Sequence, residues 1–419
     1  MQEEANSTSN EALCSVSRLL SSQVFSQLTA TLTYTAQFVA QERKMQTALI
    51  TAEAAPLAGF RPLQDGPTLD EVIPRIGDSI EIDPAIIQAL PPGCSFSRAT
   101  AYGASLWTRT AKVITTAPDG SERNFFLKMA AGELGRQMFR GEFEGMTAIY
   151  KTAPTFAPEP IAWGSCRDAT GVYFFLSDFI DMADGDLPEP AAFCSQLATL
   201  HRNSVSPTGK FGFHVPTCNG NIPQRNGWWD SWEAFFADGL RCMMQLDVEV
   251  NGAQPELVEA MGPVFERVIP RLLRPLEQGP NPIRPALVHG DLCSTNLNTD
   301  APVVFDSAAF YAHNEYELGN WRPVRNRFNK AYFRAYAEHY PIAHPKADFD
   351  DRITLYELRF NFHLCIMFPG SAEAAEAKQE MISNMRYLAG KYTSAEYNDE
   401  HVRIEKANLA AFEADQGER

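Results

Sequence analysis

The chain has 419 residues, enough for two or three domains. At 45% hydrophobic and 21% charged it has the composition of a globular protein with a large core, too apolar to remain disordered. With 36 Lys+Arg against 52 Asp+Glu and a net charge of −16, it lacks the basic character that phosphate backbones and anionic lipids attract. No nucleic-acid or membrane partner is expected, and any anionic ligand has to be met by a local pocket. The eight cysteines stand at least 24 residues apart, which excludes CxxC pairs, zinc-ribbon spacing and a dense disulfide framework. A reducing, cytoplasmic setting is the simpler reading.

In chain order, Leu20, Val24, Leu28 and Leu32 recur every four residues, which predicts an amphipathic helix near the start. The surrounding uncharged stretch, residues 19–41, is too rich in Ser, Thr, Gln and Tyr to span a membrane. Glu3, Glu4 and Glu11 oppose a mitochondrial presequence, and only Arg18 speaks for one. Residues 51–74 are rich in Ala, Pro and Gly and read as a linker, so 1–75 is taken as an N-terminal extension, poorly packed or helical, with compact structure from about Ile76.

From 97 to 129 the pattern is strand-like. Leu106, Trp107, Thr108 and Val113–Thr115 supply β-formers, Ala117-Pro118-Asp119-Gly120 is a turn, and Asn124–Met129 returns as a second strand. Residues 134–150 have helical spacing, with Met138, Phe139, Phe143, Met146 and Ile149 on one face, and 172–180 is a further apolar strand. Beyond Asp181 the chain turns helical at 190–202, 228–250, 256–276 and most of the length after Tyr316. Within that part, 287–310 reads as two short apolar strands joined by a polar loop. The predicted architecture is α+β and two-lobed: a small β-rich lobe over 76–180 and a helical lobe over 181–419, with a chemistry-bearing loop at 287–310.

That loop is the most informative stretch. An apolar strand delivers His289-Gly290-Asp291, Asn296 follows five residues after the Asp, and Asp306 ends the next apolar run. Phosphoryl transfer from ATP uses these types at this spacing: one carboxylate accepts the proton of the attacking hydroxyl, and an Asn with a second carboxylate holds Mg²⁺ against the phosphates. HGDxxxxN is expected by chance in roughly 0.003 chains of this length. Asp291 is therefore the candidate base, and Asn296 and Asp306 are the candidate metal ligands. His289 is expected to brace the loop backbone.

Positive charge for the opposite wall comes from Phe125-Phe126-Leu127-Lys128-Met129, where Lys128 lies inside an apolar strand and would be costly to bury alone. Glu142, on the helix that follows, could pair with it. Gly103 is the single glycine of the candidate phosphate loop Ala101-Tyr102-Gly103-Ala104-Ser105. Ser177, Asp178 and Ile180 lie on the expected inter-lobe hinge, where backbone could meet adenine.

Several segments together make the chain resemble the fructosamine/ketosamine-3-kinase family, relatives of aminoglycoside and choline phosphotransferases within the protein-kinase-like fold. They are Phe139-Arg140-Gly141-Glu142, Leu200-His201, Lys210-Phe211-Gly212-Phe213-His214, Ile222-Pro223-Gln224, His289-Gly290-Asp291-Leu292 and Phe310-Tyr311-Ala312-His313-Asn314-Glu315-Tyr316-Glu317-Leu318. The resemblance runs from about Gly93 to Tyr392. It implies ATP-dependent phosphorylation of the 3-hydroxyl of a ketose joined to an amine, on protein or on a small molecule; a monomer is expected. The unstable 3-phosphate would then eliminate and free the amine. It also implies the roles already assigned to Asp291, Asn296, Asp306, Lys128 and Glu142.

Three positions depart from the family pattern: Cys293 replaces a Trp after HGDL, Thr295 a Gly, and Ser307 a Pro. An indole offers a sugar a flat face that a thiol cannot, so a kinase of the same fold with a diverged acceptor is the alternative reading. A catalytically silent nucleotide-binding relative is the third, disfavoured by the retained charged set. Cys293, His289 and Trp228 are carried as candidate acceptor-side residues.

Overall fold

The computed structural model describes residues 75–76, 79–103, 105–181, 187–279, 281–294, 296–298 and 302–392. The expected N-terminal helix, most of the linker and Thr295 lie outside them. Arg75–Ile76 (β1), Ser79–Ile80 (β2), Ser95–Ala101 (β3), Arg109–Thr116 (β4), Glu122–Ala131 (β5), Pro160–Ser165 (β6) and Val172–Asp178 (β7) form one antiparallel sheet in the order β1-β2-β3-β4-β5-β7-β6. A short helix, Pro84–Gln88 (α1), covers one face, and the long helix Gly132–Thr152 (α2) packs on β5, β6 and β7.

Coverage on two sides explains why β5 reads as a continuous apolar run rather than an alternation. Phe125, Leu127 and Met129 join Ala111, Val113, Phe174, Leu176 and Ile86 of α1 in one buried cluster, and strand geometry turns the intervening Lys128 to the other face. On α2 the buried stripe is Leu134, Phe139, Glu142, Met146 and Ile149, with Met138 and Phe143 half-buried at its edges.

Leu106 and Trp107, expected in a strand, lie in the β3–β4 loop instead. The Ser105 hydroxyl accepts the N–H groups of Trp107 and Thr108, at 3.2 Å each, and such local bonds draw backbone away from a strand ladder. The turn at Ala117–Gly120 forms as read, closed by Gly120 N–H to Ala117 O at 2.9 Å.

The helical part follows with Pro190–Asn203 (α3), Trp232–Asn251 (α4), Pro255–Pro263 (α5), Ile269–Gln278 (α6), Tyr316–Gly319 (α7), Lys330–His339 (α8), Phe349–Met367 (α9) and Ala372–Lys391 (α10). The helix expected from Trp228 starts four residues later because Ser231 caps it, its side chain accepting the Ala234 N–H. The single helix expected over 256–276 is three segments: Val264–Val268 after Pro263 is a π-helical turn between α5 and α6, a common device for absorbing an irregularity in a helix.

Short strand pairs complete this part, among them Cys218–Asn219 (β8) with Ile222–Pro223 (β9) and Ala286–Val288 (β10) with Phe310–Ala312 (β13). The pairing at 287–310 differs from a simple two-strand hairpin: β10 pairs with β13, and Leu297–Asn298 (β11) and Val303–Val304 (β12) form a separate pair inside the loop. The loop carrying Asp291 and Asp306 is thus paired at its base and again in its middle. Among the described residues no helix is long and apolar enough to cross a membrane.

Candidate active site

Lys128 sits in the ladder opposite Thr110 of β4 and Phe175 of β7. Its Nζ lies 2.7 Å from Glu142 Oε1 on α2 and 2.5 Å from Asp306 Oδ1 on the distant loop. Lys128 and Glu142 are buried, while 44% of the Asp306 side chain is exposed. Burial opposes charging the Lys128 ammonium, but Asp306 and Glu142 outweigh it and raise its pKa. Burial likewise pushes the Glu142 carboxyl up, with the lysine holding it back. One cation thus ties the sheet, α2 and the loop together.

Asp306 adopts φ 60°, a left-handed conformation that Asp and Asn enter more readily than most residues and that is often found at functional sites. The turn is held from beneath. His289 Nε2 lies 2.8 Å from the Phe305 carbonyl, and the Asp291 N–H donates to His289 Nδ1 at 3.3 Å. A carbonyl only accepts, so the proton is on Nε2 and the ring is neutral, in keeping with a pKa that burial lowers. His289 is fully buried with both nitrogens engaged, so it braces the loop and has no exposed surface to offer a sugar.

Gly290 has φ 80°, and a Cβ there would lie 2.3 Å from the Ala308 carbonyl oxygen, so only glycine lets the two ends of the loop cross. Glu317 of α7, itself buried, accepts the N–H groups of His289 and of Gly290, the latter at 3.1 Å. Asn296 Nδ2 donates to the Asp291 carbonyl at 2.9 Å and lies 3.5 Å from Asp291 Oδ2. The Cys293 N–H donates to the same carbonyl at 3.0 Å. Burial pushes the Asp291 carboxyl up to about 7, against a side-chain hydrogen bond from Asn219 that favours the ionised form. Asn219, on β8, also donates to the Gly290 carbonyl at 3.4 Å.

The structure therefore brings Lys128, Glu142 and Asp306 into one bonded group, and Asp291 and Asn296 into a second group on the same loop. Gly103 lies exposed in the β3–β4 loop with φ 72°, facing Thr110, the cross-strand neighbour of Lys128. Ser177 and Asp178 end β7. Ser177 is buried in the ladder, Asp178 pairs with Arg123 at 2.9 Å, and half-buried Ile180 follows on the way to the helical part. Cys293 is half-buried beside Asp291. Ser307 is buried and among the described residues its hydroxyl has no hydrogen-bond partner, with Gly145 of α2 packed against it. Trp228 packs on Tyr311, 6.1 Å between ring centroids.

Two residues of the site were not singled out from the sequence. Glu317 lies inside the Phe310–Leu318 segment that carried the resemblance, so a signal for it was present. Asn219 lies in no such segment.

The donor set fits magnesium. Asp306 and Asn296 bring hard oxygens, and among the described residues no three His, Cys, Asp or Glu side chains form an all-protein cage. Mg²⁺ takes few protein oxygens and fills its shell from phosphate and water.

Residues 109–387 match the sequence model of the fructosamine kinase family. The chain belongs to that family. It is accordingly an ATP-dependent kinase. It is 32% identical over 266 residues to ketosamine-3-kinase of Mus musculus, covering 57% of this chain and 81% of that protein. It is 30% identical over 246 residues to the chloroplastic protein-ribulosamine 3-kinase of Arabidopsis thaliana, covering 56% and 68%. A crystal structure assigned to a fructosamine-3-kinase of Thermobifida fusca superposes with a TM-score of 0.58 at 21% identity, over 73% of this chain and 97% of that one. This likeness shows that the kinase has the family's two-lobed α+β fold.

Proposed function

We propose that this kinase transfers the γ-phosphoryl group of ATP to the 3-hydroxyl of a ketosamine, an amine-linked ketose on a protein or a small molecule. The observation that carries the proposal is the ion-pair group Glu142–Lys128–Asp306, which joins the sheet to the loop bearing Asp291 and Asn296. The names of the mouse and Arabidopsis relatives support the acceptor class.

In this reading the acceptor oxygen attacks the γ-phosphorus while its proton passes to the Asp291 carboxylate. The bond to the β,γ-bridging oxygen breaks, and ADP leaves. Asn219 and Asn296 hold Asp291 in place, and Lys128, steadied by Glu142, meets phosphate oxygens. Asp306 and Asn296 would hold Mg²⁺, which when bound neutralises charge on the phosphates. The sheet-bearing part, 76–180, is taken as the nucleotide side and the helical part from 181 as the acceptor side.

The test is ATP consumption and product mass with ribulosyl-lysine and fructosyl-lysine beside a panel of small alcohols. Phosphorylation of a ketosamine, lost in Asp291→Asn, is expected. Turnover of the alcohols alone would overturn the acceptor class.

A further inference from the structure

Arg359, midway along α9, is buried to 93% of its surface. Among the described residues its guanidinium makes one hydrogen bond, to Gln224 Oε1 at 3.4 Å, and no ion pair. A buried guanidinium without a carboxylate is costly, and five N–H donors in a planar fork match the two oxygens of a carboxylate. Arg359 lines a small pocket together with Pro223, Gln224, Phe236, Phe310 and Tyr316. The pocket's other arginine, Arg225, is already 3.4 Å from Asp238.

Its place relative to the chemistry is fixed by the β8–β9 hairpin. At one end, Asn219 bonds the Asp291 carboxylate and the Gly290 carbonyl. At the other, Gln224 donates to Ala308 O at 2.8 Å and to Thr217 Oγ1 at 3.1 Å, so its oxygen is turned to Arg359. Phe310, a pocket wall, backs directly onto Gly290. The positive charge is close enough to favour ionisation of Asp291.

Resting on the function proposed above, we propose that Arg359 is a specificity residue that binds a carboxylate carried by the amine half of the acceptor. The preferred substrate is then a ketosamine of an α-amino acid, whose carboxylate lies a few bonds from the sugar.

The experiment compares N-fructosylglycine with its neutral glycinamide counterpart, in the wild type, Arg359→Gln and Arg359→Lys, with ATP varied in parallel. The wild type should favour the glycine adduct about 10- to 100-fold in kcat/KM, mainly through KM, as a charge-assisted bidentate contact provides. The ratio should fall close to one in Arg359→Gln and lie between in Arg359→Lys. If the variants fold poorly, greater thermal protection of the wild type by the glycine adduct than by the amide supports the same conclusion.

A wild-type ratio near one, an unchanged ratio in Arg359→Gln, or a rise in KM for ATP instead would each overturn it. So would stronger turnover of a fructosylglycinamide 6-phosphate, which would move the anion to the sugar. Turnover of the amide without preference sinks this inference alone, whereas turnover of neither adduct sinks the ketosamine reading and this inference with it.

Discussion

The proposed nucleotide and acceptor sides handle charge in opposite ways. On the nucleotide side one buried ammonium, Lys128, has two carboxylates within 2.7 Å. On the acceptor side a buried guanidinium, Arg359, has an amide oxygen at 3.4 Å and no ion pair among the described residues. A cation met by carboxylates of its own chain is held in position and serves any ATP-dependent transfer. A wall short of one negative charge leaves that charge to be brought by a ligand. The first arrangement fits a shared reaction, the second a particular acceptor.

The comparison breaks most directly at Asp291. Asp291→Asn should lower kcat by about 10²- to 10⁴-fold while ATP·Mg²⁺ still raises the melting temperature; an active variant would remove Asp291 from the base role. Lys128→Met strands the buried Glu142 and should cost about 3–5 kcal/mol in urea unfolding, besides turnover. Adding Glu142→Leu should recover much of that stability and none of the activity. If Lys128→Met is as stable as the wild type, the ion-pair group is not what holds the sheet to the loop.

Smaller effects sharpen the contrast. Glu317→Gln keeps the shape of the side chain but weakens two charge-assisted bonds to the loop backbone. We expect a loss of about 1–3 kcal/mol and a kcat decrease that exceeds any change in KM for ATP. A change confined to the ATP KM would place the strain elsewhere. Cys293→Trp should alter acceptor kcat/KM by a few-fold and leave the ATP KM alone, and an equal shift in both would show that position 293 does not belong to the acceptor side.

How much of this was legible in the sequence follows the same division. Lys128, Glu142, Asp291, Asn296 and Asp306 could be singled out because each sits at a fixed offset on a strand, a helix or a short loop, and the structure brings them into two adjoining groups. The two-lobed α+β fold was readable from the switch in hydrophobic period after Asp181. Arg359 and Asn219 were not readable, because their surroundings arise from contacts such as Gln224–Ala308, 84 residues apart, which no local pattern encodes. Trp107 was misplaced for the reverse reason: its β-forming character is real, but the Ser105 hydroxyl captures its N–H first.

The backbone at Asp306 also limits how this enzyme can decay. At φ 60° the position admits Asn or Gly at small cost, while Glu would pay for the conformation and overshoot the lysine by one methylene. A replacement that keeps this turn is therefore neutral, and it leaves Lys128 with Glu142 as its one remaining carboxylate among the described residues.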